Sequence, residues 1–255
     1  QYPQVIAAML GVLKAGKIYV ALDPGWPASR LLHILNDTQA KLILTNEQYY
    51  SLAEDIAPRH AILSIDRLGK NASRINPGLQ VDPASPAAIY YTSGSTGEAK
   101  GVIVNHKAVM QRAYCYSVDS QVTPNDQIAL LHSFSFGASR TDILGALFNG
   151  ASLHPFKPKQ EGLKRMVEWL INNHITIVHL SVTLYRELLD LLRVHREPAG
   201  TFRRVLRSVG RRHCRHGIHL LRAPFARLPG CHGGGTQDMT LAAMTTRELA
   251  AASRA

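Results

Sequence analysis

Residues 90–104 read YYTSGSTGEAKGVIV, a cluster of glycines and hydroxyl side chains closed by Lys100 and bounded on both sides by apolar residues. Thr92, Ser93, Ser95 and Thr96 bring hydroxyl donors, and Lys100 brings a point charge suited to phosphate oxygens. Gly94, Gly97 and Gly101 allow positive φ angles and a close approach of backbone to an anion. The combination predicts a phosphate-handling loop; the competing description is a polar turn between two strands. Residue order excludes two other phosphate loops. A Walker loop needs G-x-x-x-x-G-K-[ST] opening into a helix, whereas Lys100 stands between Ala99 and Gly101 and is followed by the strand-like Val102-Ile103-Val104. A dinucleotide turn needs G-x-G-x-x-G, which this loop lacks.

Such a loop must be held by the elements around it. Residues 88–92 read as the strand leading in, after a Pro-, Asn-, Ser- and Asp-rich loop over 66–87, and residues 107–116 as a helix beyond. Upstream, an amphipathic helix over 5–14 is stopped by Gly16, a short strand follows over 18–22, and residues 23–27 form a turn. A helix over 29–36 and strands over 41–45 and 62–65 continue the pattern. Downstream, strands over 128–131, 151–154, 175–180 and 205–209 alternate with helices over 141–148, 163–171 and 183–192. This alternation predicts an α/β fold of mostly parallel sheets flanked by helices. Leu188, Leu189, Leu191 and Leu192 read as core.

YTSGSTGEAKGV closely resembles the signature loop of the adenylate-forming enzymes, with Ala99 where the usual form has Pro. Residues 12–32, VLKAGKIYVALDPGWPASRLL, resemble the LKAGxAYVPLDPxxPxxRL segment of nonribosomal peptide synthetase adenylation domains. Residues 132–153, HSFSFGASRTDILGALFNGASL, resemble the FDxS segment that lines the acyl pocket. In amino-acid-activating members an Asp follows the Phe and pairs with the substrate ammonium; here Gly137 follows Phe136. A buried ammonium without a carboxylate partner is costly. Asp142, five positions on, is a poor substitute, so the departure predicts an aryl, fatty, hydroxy or keto acid, with an α-amino acid as the second choice. A plain loop glycine is the structural reading of Gly137.

The resemblance implies that Thr92, Ser93, Gly94, Ser95, Thr96, Gly97, Lys100 and Gly101 hold the β- and γ-phosphates of ATP, with Mg2+ sharing the neutralisation. It implies that Phe136, Gly137, Ala138 and Thr141 line the acyl pocket, with the strand over 175–180 and Ser181-Val182-Thr183 nearby. The parent reaction would join a carboxylic acid to ATP and pass the acyl group to a carrier-protein thiol. The resemblance covers residues 3–209 and assigns this chain no catalytic residue and no metal ligand. The adenine-holding YGPTE-like loop, the ribose-binding Asp segment, the hinge and the mobile domain with its lysine do not follow. These expectations make residues 1–209 an incomplete adenylation N-terminal domain that does not catalyse alone. Two further readings are a non-catalytic nucleotide-binding or protein-interaction module and a nucleic-acid binder working through its basic tail.

Charge breaks near residue 210. Residues 1–200 hold 19 Lys and Arg against 16 Asp and Glu, while residues 201–255 hold 10 against 2. That last part reads as a disordered basic tail of frameshift-like composition, with a modest Ala-rich helix over 240–252. Its arginines lack the aromatic interleaving of a nucleic-acid module, so no specific nucleic acid is expected. Its His and Cys residues, His213, Cys214, His216, His219, Cys231 and His232, lack zinc-finger spacing. The 3 cysteines give no disulfide framework and fit a reducing cytoplasm. No apolar run is long enough to span a bilayer.

Overall fold

A computed structural model describes residues 3–57, 61–68, 75–93, 99–194, 213–214 and 218–222. Helix α1 (Pro3–Lys14) ends where Gly16 takes a φ of 65°. The Gly16 and Lys17 amides then donate to the Leu13 and Val12 carbonyls, both at 3.0 Å, which satisfies the last turn in the Schellman manner. Strand β1 (Tyr19–Val20) follows, and the Asp23 turn leads into α2 (Ala28–Thr38). Strands β2 (Leu42–Thr45) and β3 (Ala61–Ser64), separated by α3 (Tyr50–Ile56), form a parallel pair.

The strand leading into the loop, β4 (Pro86–Ser93), lies parallel to β1 and antiparallel to β5 (Ala99–Asn105). Helix α4 (His106–Asp119) starts at Asn105, whose side chain accepts a hydrogen bond from the Ala108 amide at 2.8 Å. Next come β6 (Gln127–Leu130), α5 (Gly137–Phe148), β7 (Ser152–Pro155), α6 (Pro158–Glu161), α7 (Leu163–Asn172), β8 (Ile177–Ser181) and α8 (Val182–Val194). β7, β6 and β8 pair in parallel, so the elements alternate as the sequence predicts and the sheets are flanked by helices. Of the four expected leucines, Leu188 is buried and Leu191 half-buried; the side chains of Leu189 and Leu192 lie outside the described residues.

Helix α5 and the basic segment differ from the sequence reading, which also anticipates neither α3 nor α6. Helix α5 begins at Gly137 rather than at residue 141, because burial rather than periodicity organises it. Residues 139–146 are buried all round, which removes the amphipathic signal. Ile143 packs with Tyr90 and Leu130, Leu144 with Val109 and Ala113, and Ala146 with Tyr116, Ile128 and Ile177. The second difference lies in the basic segment. Strands β9 (His213–Cys214) and β10 (Ile218–Arg222) continue the β8 edge antiparallel, Leu220 opposite His179, where the sequence predicts disorder. Open edge groups on β8 are thereby paired. The expected strand over 205–209 lies outside the described residues.

Candidate nucleotide and acyl site

Strands β4 and β5 pair as the two arms on either side of the loop. Thr92 stands opposite Lys100 and Ser93 opposite Ala99 in the β4–β5 register. Thr92 and Lys100 are exposed at the described limits of the turn. Gly94, Ser95, Thr96 and Gly97 lie outside the described residues. The residue order that excludes a Walker loop is realised here as a lysine on the outgoing strand, not at a helix start. Gly101 departs from expectation. It lies within β5 opposite Tyr91 and is not among the glycines with positive φ. A Cβ at this position would come within 3.2 Å of both the Tyr91 ring and the Ile89 side chain. Its smallness makes room for an aromatic ring across the ladder.

That ring fixes one face of the hairpin. The Tyr91 hydroxyl donates to Asp37 on α2, and burial, followed by the Asp37 carboxylate, pushes its phenol well above the usual value. It therefore remains a donor. Tyr90 points to the opposite face, as the strand period of two requires. Its hydroxyl is hydrogen-bonded to that of Tyr19 on β1, with the rings edge to face at 6.2 Å. The Arg140 guanidinium of α5 lies 5.0 Å from the Tyr90 ring centre. Thr92 is two residues further along the same strand, about 7 Å on.

The remaining tie runs through the Asp23 turn. Asp23 accepts hydrogen bonds from the Gly25 amide at 3.0 Å and the Ser133 hydroxyl at 2.7 Å. The three segments singled out in the sequence, over 12–32, 90–104 and 132–153, are thus joined through Asp23–Ser133, Tyr19–Tyr90 and Tyr90–Arg140.

At the acyl segment, Phe136 caps α5 and is 61% exposed. Gly137 is the first helical residue, with open space where a Cβ would stand. Ala138 is half-buried. Thr141 is only 3% exposed and donates its hydroxyl to the Gly137 carbonyl at 3.2 Å. Asp142 is wholly buried, with His179 Nδ1 of β8 at 2.7 Å from Oδ1 and His132 Nδ1 at 3.5 Å from Oδ2. It is engaged within the core, beneath the helix start. The sequence reading passed over His132, His179, Arg140 and Tyr116. A signal was there: His179 interrupts the buried apolar run over 177–180 of β8. Burial, then the Asp142 charge, holds the Tyr116 phenol well above its usual value.

The chain belongs to the AMP-binding enzyme family, whose profile matches residues 1–250. It is 34% identical over 188 residues to surfactin synthase subunit 2 of Bacillus subtilis (strain 168), covering 72% of this chain and 5% of that protein. Tyrocidine synthase 2 of Brevibacillus parabrevis is 32% identical over 182 residues, again with 5% of its length covered. The chain therefore spans about a twentieth of these curated relatives. Among solved structures, the nonribosomal peptide synthetase FmoA3 (S1046A) in its alpha-methyl-L-serine-AMP bound form superposes with a TM-score of 0.66 at 25% identity. That match covers 76% of this chain and 22% of FmoA3.

Proposed function

We propose that this chain carries the phosphate-binding hairpin and the acyl-side helix start of an enzyme that activates a carboxylic acid with ATP. A carboxylate oxygen attacks the α-phosphorus and pyrophosphate leaves; a carrier-protein thiol, giving up its proton, then attacks the acyl carbon of the adenylate and AMP leaves. The observation that carries this reading is the Thr92–Lys100 register at the hairpin mouth, with β4 tied to Arg140 of α5 through Tyr90. In this reading Thr92, Ser93 and Lys100, with Gly94, Ser95, Thr96 and Gly97 of the turn, donate to the β- and γ-phosphates and offset charge as pyrophosphate departs. Gly101 contributes by seating Tyr91.

The loop's one carboxylate, Glu98, lies outside the described residues, and magnesium would share the neutralisation. It would arrive on the nucleotide's own phosphates, and its chemistry there is charge neutralisation. Phe136, Gly137, Ala138 and Thr141 border the acyl group. Gly137 offers no charge to an α-ammonium, and Asp142 is wholly buried and hydrogen-bonded to His179, which favours a carboxylic acid without one. We further propose that the 255 residues bind nucleotide without turning over, since no YGPTE-like loop occurs in them.

ATP titration by calorimetry tests the hairpin. Lys100→Ala should weaken ATP binding roughly tenfold to a hundredfold, the ordinary effect of losing a charge-assisted hydrogen bond. Unchanged ATP affinity in that variant removes the assignment. Pyrophosphate exchange, in the chain and in a complete adenylation domain bearing these segments, tests the rest. Exchange driven by α-amino acids alone overturns the acid class, and exchange by the 255-residue chain overturns its inactivity.

A further inference from the structure

Among the described residues two aspartates are wholly buried, Asp126 and Asp142, and they are satisfied differently. Asp126 accepts from the Thr123 amide at 2.8 Å, the Thr123 hydroxyl at 2.9 Å and the Thr176 hydroxyl at 2.8 Å. These neutral donors tie down the entrance to β6. Asp142 has imidazoles instead: His179 Nδ1 at 2.7 Å on Oδ1 and His132 Nδ1 at 3.5 Å from Oδ2. Among the described residues, its Oδ2 has no partner within hydrogen-bonding distance and angle, and neither has the buried Tyr116 hydroxyl. An incompletely satisfied buried carboxylate is expensive, and a cation coordinated in place removes the penalty.

We propose that His132, Asp142 and His179 bind one divalent transition-metal ion of the zinc or cobalt kind. The three residues come from three elements: the loop after β6, helix α5 and strand β8. Their ligating atoms all lie within 4.8 Å of one another. Ligands around a tetrahedral ion with bonds of about 2.0–2.1 Å stand roughly 3.3 Å apart, so small side-chain rotations close the set. Two imidazoles and one carboxylate suit zinc and its neighbours far better than magnesium or calcium, which prefer all-oxygen shells. Ring contacts already orient the ligands: His132 and His179 meet edge to face at 5.0 Å, and the Tyr116 ring lies tilted 5.8 Å from His179. Glycine 145 sets the depth of Tyr116, because a Cβ there would come within 2.4 Å of its ring. This site is separate from the hairpin's phosphate chemistry and does not depend on it.

Cobalt(II) titration of the chelator-treated full chain reads the site directly. The expected result is one equivalent of bound cobalt with visible d–d absorption and no near-ultraviolet thiolate band. His132→Asn, at a partly exposed position, should abolish that absorption, as should His179→Asn. Cys214→Ser and Cys231→Ser should leave it unchanged, which separates the site from the His- and Cys-bearing segment beyond residue 210. Zinc should raise the melting temperature of the parent chain and not of His132→Asn. As a check that needs no variant, zinc should shift the imidazole NMR signals of both histidines in the parent chain. Absent stoichiometric binding, a thiolate band, or binding that survives both histidine variants overturns the proposal and leaves Asp142–His179 as a hydrogen-bonded core pair.

Discussion

Gly101 and Lys100 stand side by side in β5 and do different work. Lys100 is exposed at the mouth of the hairpin, where a charge can meet a phosphate. Gly101 is defined by its neighbour across the ladder. Gly101→Val would press branched carbons onto the Tyr91 ring and Ile89, which already lie within 3.2 Å of a single added carbon. Overpacking of that kind costs about 1–3 kcal/mol, so chemical denaturation of the variant should show a lower midpoint. His154 carries a pH dependence. Partial burial holds its pKa below the ordinary 6.5, and Nε2 is hydrogen-bonded to Gln127 at 2.5 Å. The unfolded chain therefore binds the proton first. The contribution is fully present above pH 6.5 and declines as pH falls through the window below it. Melting temperatures measured from pH 7.5 downward should fall less steeply in His154→Gln than in the parent.

Helix α5 is the element on which the sheets depend. It is buried on every side over 139–146, reaches the hairpin through Arg140 and Tyr90, and touches α4 where Gly145 faces Tyr116. That contact is close because one partner has no side chain. Gly145→Ala places a Cβ within 2.4 Å of the Tyr116 ring, so α4 and α5 must separate. A loss of about 1–3 kcal/mol in unfolding free energy is expected, together with a changed Tyr116 near-ultraviolet circular dichroism signal. A fully native spectrum and midpoint would mean that the two helices slide apart freely.

On the scale of the whole molecule, the three-stranded sheet runs in the order β1-β4-β5, which leaves β5 at its edge among the described residues. Ile103 is 64% exposed there, and Val102 is exposed beside it. An apolar edge strand recruits other strands. Self-association that rises with protein concentration is therefore expected in light scattering, and Ile103→Lys should reduce it. Equal association in the two proteins would place the sticky surface elsewhere.

The sequence by itself determined the alternation of strands and helices, a glycine- and hydroxyl-rich loop closed by Lys100 between two strands, the glycine stop of α1, and the family. All of these are local: each follows from periodicity, a turn residue or a contiguous motif. Contacts between distant segments were decided only in three dimensions. The ties Asp23–Ser133, Tyr19–Tyr90 and Tyr90–Arg140 join residues far apart in the chain, and no local pattern announces them. The early start of α5 was hidden because a helix buried all round has no polar face to set its period. The role of Gly101 was hidden because a glycine serving a ring on the next strand has the same one-letter code as a glycine serving a turn. Asp142 read only as a poor substitute for the carboxylate missing at Gly137. Only tertiary packing, by carrying β8 beneath α5, sets His179 against it and turns three separate polar residues into one site.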